Sequence, residues 1–292
     1  MSMVFSESDL VLNKDGGVYH LNLLPEDIAD TIFLVGDPDR VAVVSQYFDR
    51  VELKKQKREF VTHTGTYQGK RFSVISTGIG PDNIDIVVNE LDALSNIDLK
   101  KRVMKDQHKR LNLLRIGTSG GLQNNIPVDS YVVNNFAIGV DGLMNFYDYQ
   151  YSEQEARLHK AFTEHYPELC QVTKPYVASG SIELIELFSQ DCYQGINITC
   201  GGFYGPQGRR LIGKIKLPDY LSQLRDFDFE QHKVTNFEME TSAIYGLGNL
   251  LGHNCCSLNA IIAQRSLQKF SADYMKTIAA LIQLALKRLT AK

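Results

Sequence analysis

The sequence predicts an α/β fold, and three observations carry that prediction. Short apolar runs recur along the chain, as at Thr31–Val35, Leu111–Leu114 and Ser257–Ala263, and each gives way to glycine, hydroxyl or charged residues. A strand of a parallel sheet is covered on both faces and therefore reads as such a run. Segments with apolar residues at helical spacing lie between these runs or after them, as at Ile84–Leu94 and Ala272–Leu289. Finally, 292 residues with 43% hydrophobic content and no dividing linker are expected to form one domain, residues 1–292, around a large core.

The charge balance limits the partners. Lys and Arg number 31 against 34 Asp and Glu, a formal net charge of -3, so no basic field points to nucleic acid or an anionic membrane. A small-molecule ligand is expected instead. The N-terminus lacks the basic start and apolar centre of a secretory signal, and no run of about 18 apolar residues occurs, so a cytoplasmic protein is expected. The five cysteines (Cys170, Cys192, Cys200, Cys255, Cys256) show no C-x-x-C spacing and are expected as free thiols. No His/Cys or His/Glu cluster has metal-ligand spacing, and no metal is expected.

In chain order, the strand Thr31–Val35 runs into Gly36-Asp37-Pro38-Asp39-Arg40. Proline suits a first helical position and acidic residues favour a helix N-terminus, so a helix starts here, with Arg40 turned toward an anion or paired with Asp37 or Asp39. Strands are expected at Val51–Lys55, Phe60–Tyr67 and Arg71–Ser76, with Gly69-Lys70 in a hairpin turn and Arg58 and Glu59 between strands. Ser76-Thr77-Gly78-Ile79-Gly80 leads into the helix Ile84–Leu94. Asn83 occupies the third glycine's place, so this is no dinucleotide fingerprint. The polar stretch Ser95–Arg110 reads as a solvated surface insertion.

Leu111-Asn-Leu-Leu-Arg115-Ile-Gly-Thr118-Ser119-Gly120-Gly121 reads as a buried strand opening into a glycine-rich loop. Ligands of open α/β sheets bind beyond the carboxyl ends of strands, where Arg115, Thr118 and Ser119 would supply charge and donors to a phosphate. An ordinary glycine-rich turn is the other reading. Strands follow at Ser130–Asn134 and Phe136–Val140, a helix at Ser152–His165, a strand at Pro175–Gly180, a helix at Ile182–Phe188 capped by Ser181, and a strand at Ile196–Thr199. The loop Gly202–Arg210 combines Phe203, Tyr204, Gln207 and Arg209: aromatics to stack on a planar heterocycle, an amide and a guanidinium to read its edge. A packed Phe-Tyr pair in a surface loop would look the same. In Phe237-Glu238-Met239-Glu240, two carboxylates open an apolar helix, and at least one must face inward and find donors.

This ordered set, Gly36-Asp-Pro-Asp-Arg40, Ser76-Thr-Gly-Ile-Gly80, Arg115-Ile-Gly-Thr-Ser-Gly-Gly121, Phe203-Tyr-x-x-Gln207-x-Arg209 and Phe237-Glu-Met-Glu240, resembles the uridine phosphorylase branch of the nucleoside phosphorylases. The resemblance runs from about Tyr19 to the C-terminal helix. It implies a three-layer αβα fold with a central mixed, partly barrel-like sheet. Phosphate would lie on Gly36, Arg40, Arg115 and Thr118, with Arg58 reaching in from a neighbouring subunit. Met239 and Glu240 would hold the ribose, and the neighbour's His20 its 5′-hydroxyl. Phe203, Gln207 and Arg209 would hold the pyrimidine, with Arg265 beside them at the strand end where purine-specific relatives place an aspartate. Arg115, Glu240, Gln207 and Arg209 would carry catalysis.

The resemblance further implies a homo-oligomer, either a dimer or a hexamer built of dimers, with inorganic phosphate as co-substrate and no cofactor. Asn83 in place of a serine argues against the monovalent cation that some relatives bind between subunits. The expected reaction is phosphorolysis of uridine to uracil and ribose 1-phosphate in pyrimidine nucleoside salvage, with deoxyuridine as a further candidate substrate. The alternatives are purine nucleoside phosphorolysis, nucleoside hydrolysis, or nucleoside binding without turnover. The chemistry suits the residues: the sugar gains positive and the base negative charge, so the site needs well-placed charges.

Overall fold

The computed structural model describes residues 4–291. Its strands are, in chain order, β1 (Thr31–Val35), β2 (Arg50–Lys57), β3 (Phe60–Tyr67), β4 (Lys70–Ser76), β5 (Ile97–Asp98), β6 (Val103–Met104), β7 (Asn112–Gly121), β8 (Tyr131–Gly139), β9 (Tyr176–Ser179), β10 (Tyr193–Thr199), β11 (Asp228–Phe229), β12 (His232–Glu238), β13 (Asn254–Gln264) and β14 (Lys269–Phe270). Twelve of them form one sheet in the order β11-β12-β10-β8-β13-β7-β1-β4-β3-β2, with β14 on β13 and β9 on β8. The sheet is mixed: β1 is parallel to β4 and β7, whereas β2, β3 and β4 form an antiparallel meander. A further antiparallel pairing of β7 with β12 closes β7, β13, β8, β10 and β12 into a barrel-like ring.

That closure depends on a glycine. Gly120 faces Phe237 across the β7–β12 contact, and a Cβ on Gly120 would meet the Phe237 ring at 2.6 Å. The strand therefore approaches its partner more closely than any other residue would allow.

Alternation along β1 builds the layers. Ile32 and Leu34 pack with Ile84, Val88 and Leu91 of the helix Pro81–Asn96 and with Ile244 and Leu247 of the helix Thr241–Leu250. Phe33 and Val35 pack on the opposite face with Val41 and Val44 of the helix Pro38–Ser45 and with Ile278, Leu281 and Ile282 of the helix Tyr274–Thr290. Successive strand side chains point to opposite faces, so one continuous apolar run supplies both cores. A third cluster, including Leu158, Phe162 and Leu224, covers Ile138, Ile196 and Ile198 of the ring. Fully burying each such side chain stabilises by about 1.5–3 kcal/mol.

Several expectations change. The glycines after Arg115 belong to β7 itself, which continues through Gly121 instead of opening into a loop. The stretches Ser130–Asn134 and Phe136–Val140 are one strand, β8, with a register irregularity against β10. The Ser181 hydroxyl does not cap its helix; it accepts from the Cys255 N–H at 2.8 Å and so ties that helix to β13. The Ser95–Arg110 stretch is less free than its polarity suggests. Ser95 and Asn96 are buried at the end of the preceding helix, and β5 and β6 form a small ribbon against which Phe5 donates to the Arg102 carbonyl at 2.8 Å.

Candidate active site

One cavity of about 720 Å³ opens at the carboxyl ends of β1, β4, β7 and β12, where open α/β sheets place ligands. Gly36, Arg40, Arg115, Thr118, Phe203, Gln207, Arg209, Met239 and Glu240 all line it. His20, Arg58 and Arg265 do not belong to its lining. Ser119, expected from its strand-end position beside Thr118, lines the cavity as well, whereas Ile79, Glu59 and Phe270 were not among the expected ligands although each lines it.

Backbone conformation shapes the floor. Gly78 (φ 71) and Gly80 (φ 101) lie in the region that favours glycine, and the Gly80 N–H, ahead of the helix Pro81–Asn96, donates to Glu240 Oε1 at 2.9 Å. Gly36 lies so close to the β4 end that a Cβ there would be 3.4 Å from the Gly78 carbonyl. Asp37 caps the helix Pro38–Ser45 by accepting from the Asp39 N–H at 2.9 Å.

Both carboxylates of the Phe237–Glu240 segment face inward, and each is 5% exposed. Arg115 on β7 joins them: its guanidinium is 2.6 Å from Glu240 Oε2 and 3.1 Å from Glu238 Oε2, and donates to Asn259 Oδ1 at 2.6 Å. Gly117 makes room for that reach, because any Cβ there would overlap the guanidinium. Glu238 also accepts from the N–H groups of Glu240 (2.9 Å) and Thr241 (3.0 Å) at the start of the helix Thr241–Leu250 and from the Thr199 hydroxyl (2.9 Å). It is the internal brace. Glu240 keeps capacity on each oxygen for a ligand hydroxyl. Burial pushes the Glu240 carboxyl above its ordinary range, with Glu238 adding to the effect and Arg115 opposing it.

Arg40 is the contrasting cation. It is 8% exposed, donates to the Ile116 carbonyl at 3.3 Å, and leaves its buried Nε without a partner. Among the described residues it forms no ion pair with Asp37 or Asp39, so of the two sequence readings the anion-facing one fits. Burial, then the charge of Arg115, lowers its pKa from the ordinary value. A buried guanidinium with an unused donor beside a second guanidinium is an anion site by composition.

Across the cavity, Arg209 stacks on Phe203 with its guanidinium carbon 3.7 Å from the ring centroid, and donates to the Phe203 carbonyl at 2.7 Å and to Gln207 Oε1. Gln207 is buried. Arg265 lies behind this loop, donating to the carbonyls of Gln207 and of Gly208 (3.2 Å). It therefore supports the Phe203–Arg209 loop from outside the cavity, a correction to the direct base contact expected for it.

Asp92, His108 and His253 are close enough to hold a metal ion. The buried His253 accepts the Leu111 N–H on Nδ1 at 3.2 Å, so its Nε2 carries the proton and faces Asp92 Oδ1 at 3.2 Å. A protonated nitrogen has no lone pair to give a metal, and despite the approach His253 Nε2 makes no hydrogen bond to Asp92; among the described residues the ring is hydrogen-bonded to the Leu111 N–H alone.

Residues 30–289 match the phosphorylase superfamily model. A uridine phosphorylase of Thermococcus kodakarensis is 29% identical over 97% of this chain and 90% of its own length, and a DeoD-type purine nucleoside phosphorylase of Bacillus velezensis is 29% identical over 82% of this chain and 84% of its own. In structure, the chain resembles a Trypanosoma brucei nucleoside phosphorylase that shows uridine phosphorylase activity, with a TM-score of 0.87, 27% identity, and 97% and 100% of the two chains covered. A Vibrio fischeri uridine phosphorylase shares the fold at a TM-score of 0.66 and 21% identity over 92% and 95% of the two chains. With the fold, the cavity and the sequence match in agreement, the chain belongs to the phosphorylase superfamily.

Proposed function

We propose that the protein is a pentosyltransferase that splits uridine with inorganic phosphate, giving uracil and ribose 1-phosphate. The observation that carries this reading is the pairing, across one cavity, of the buried Arg40 and Arg115 guanidiniums with the Phe203, Gln207 and Arg209 loop, and of Glu240 between them. Phosphate on the arginines stabilises the sugar as it gains positive charge and then attacks its anomeric carbon. Donors from Gln207 and Arg209 stabilise the departing uracil anion, and Glu240 accepts from ribose hydroxyls and fixes the ring. The likeness to the Thermococcus and Trypanosoma proteins supports the same substrate.

Purine specificity fits less well. Of the cavity's carboxylates, Asp37, Glu59, Glu238 and Glu240, none stands on the loop Gly202–Arg210 or at the β13 end, the places from which an acid would protonate a purine. No cofactor or metal takes part in this reading, and the protein works in the cytoplasm. The assay is release of uracil from uridine with and without phosphate, alongside inosine. Equal release without phosphate, or preference for inosine, overturns the reading.

The active unit is a homo-oligomer with a dimer as its minimum. What supports this is the position of His20 and Arg58 outside their own chain's cavity. Arg58 sits exposed at a tight turn between β2 and β3 with φ 55, a conformation uncommon for arginine. In this reading both residues complete the partner's site. Mixing Arg58→Ala with Arg40→Ala subunits restores activity, since half the sites of a mixed dimer then hold both arginines. Copurifying mixed dimers without recovered activity would refute a shared site.

A further inference from the structure

The barrel-like ring encloses three asparagines, Asn134 on β8, Asn236 on β12 and Asn259 on β13, each 0% exposed. They form one hydrogen-bonded chain. Asn259 Nδ2 donates to Asn134 Oδ1 at 2.9 Å, Asn134 Nδ2 to Asn236 Oδ1 at 2.8 Å, and Asn236 Nδ2 to Ser119 Oγ at 3.1 Å. At the other end, Arg115 donates to Asn259 Oδ1 at 2.6 Å. Asn134 and Asn236 stand on strands separated by β10, so the chain crosses the ring's interior.

Its direction is fixed by chemistry. Arginine has donors and no acceptor, so Asn259 must turn its oxygen to Arg115 and its NH₂ group onward. The same choice passes to Asn134 and Asn236, and Ser119 receives a donor. The Ser119 oxygen is then occupied as an acceptor, and its own hydrogen is given to no protein acceptor among the described residues. Ser119 lines the cavity on the same face of β7 as Arg115, with only Gly117 between them on that face. Both ends of the amide chain thus return to the cavity.

We infer that Ser119 donates its hydroxyl hydrogen to a substrate oxygen, and that Asn236, Asn134 and Asn259 are positioning residues that aim it by tying its lone pair to Arg115 through the ring. Ser119 is a donor its strand-end position already suggested; what the structure adds is the asparagines, which act through it. The substrate oxygen belongs either to phosphate or to the nucleoside. This inference rests on the phosphorolysis proposed above.

The test is a double-mutant cycle in uridine phosphorolysis, with circular dichroism and thermal unfolding confirming folded protein. Ser119→Ala lowers kcat/KM about tenfold, the usual effect of one lost hydrogen bond in a dry site. The KM that rises, for phosphate or for uridine, identifies which substrate takes the hydrogen. Asn236→Leu, and Asn134→Leu, which touches neither Arg115 nor Ser119, lower kcat/KM severalfold in the native background and by less than about twofold on Ser119→Ala, because a coupled pair is non-additive. Equal losses on both backgrounds mean the asparagines serve only packing, and unchanged kinetics in Ser119→Ala means the hydroxyl meets no substrate; either result overturns the inference. The Ser119→Ala result stands even if the leucine variants fail to fold. Absence of phosphate-dependent cleavage in the unaltered protein is a separate result, which overturns the proposed function itself.

Discussion

At the sheet end of the cavity, Arg115, Glu238 and Glu240 are bonded to one another, to helix N–H groups and to Asn259 of the ring, whereas at the loop end Gln207 is held by Arg209, and Arg209 by the Phe203 carbonyl and the faces of Phe203 and Phe237. The sheet end is bonded together before any ligand arrives, so removing one partner there leaves the others buried and uncompensated. The loop end, which reads the base in the proposed reaction, uses groups the fold does not need. Arg40 belongs by position to the sheet end and by its unused donor to the ligand. Substitutions at the two ends should therefore separate stability from activity.

The largest effect is expected at Arg115. Arg115→Met would leave two buried carboxylates without their guanidinium, a change that costs about 3–5 kcal/mol for a buried pair and removes activity as well. Urea unfolding measures it; a loss under about 1 kcal/mol would mean that the sheet end is not an anchor. Arg40→Ala sharpens the contrast. It removes a buried cation with one weak protein bond, so stability is expected to hold within about 1 kcal/mol, while kcat falls roughly 10²–10³-fold, as when a single oxyanion donor is lost. Equal losses of stability in Arg40→Ala and Arg115→Met would erase the distinction between the two arginines. Next in size, Arg209→Ala is expected to cost about 2 kcal/mol in kcat/KM for uridine with little change in unfolding, since a charge-assisted donor to the base is lost.

Acid tests the sheet end without mutation. The Glu240 carboxyl is raised above the 4.5 of a free glutamate, chiefly by burial. It must be ionised to accept from ribose, so kcat/KM falls as pH drops through that raised value. Stability moves the other way in the same window: between 4.5 and the raised value the folded state holds a proton the unfolded state has lost, so Glu240's contribution falls as pH rises. The difference in unfolding free energy between the native protein and Glu240→Gln, followed across that window, isolates this term. A difference that grows more favourable to the native protein with rising pH contradicts the assignment.

The contrast also explains what the sequence could and could not reveal. β1 and the helices at Pro81 and Tyr274 were legible because apolar runs and helical spacing are local signals. The grouping of Gly36, Arg40, Arg115 and Glu240 came from the resemblance to the nucleoside phosphorylases; their places near strand ends agree with it but do not by themselves bring them to one cavity. Ring closure was not legible, because the glycines of β7 look like a loop until Phe237 is known to lie against Gly120. The division of labour between Glu238 and Glu240 also depends on long-range contacts, with Thr199 and Gly80, that no spacing encodes. Arg265 was misplaced for the same reason: its position at the β13 end was readable, but the loop that lies between it and the cavity was not.

Arg265 gives the smallest and most discriminating prediction. Its guanidinium holds the carbonyls of Gln207 and Gly208 from behind, and its own charge lowers the pKa of Arg209 after burial does. Arg265→Ala therefore removes two supports of the loop and leaves every cavity-lining side chain in place. The expected result is a rise in KM for uridine of about three- to tenfold, near 1 kcal/mol, with KM for phosphate unchanged, because the loop must be ordered at the moment of binding. Arg265→Lys is expected to recover part of the effect, since one ammonium can reach one carbonyl but not span both. A fall in kcat with KM unchanged would instead place Arg265 on the departing base, as the sequence resemblance implied, and would mean that the loop moves to let it in.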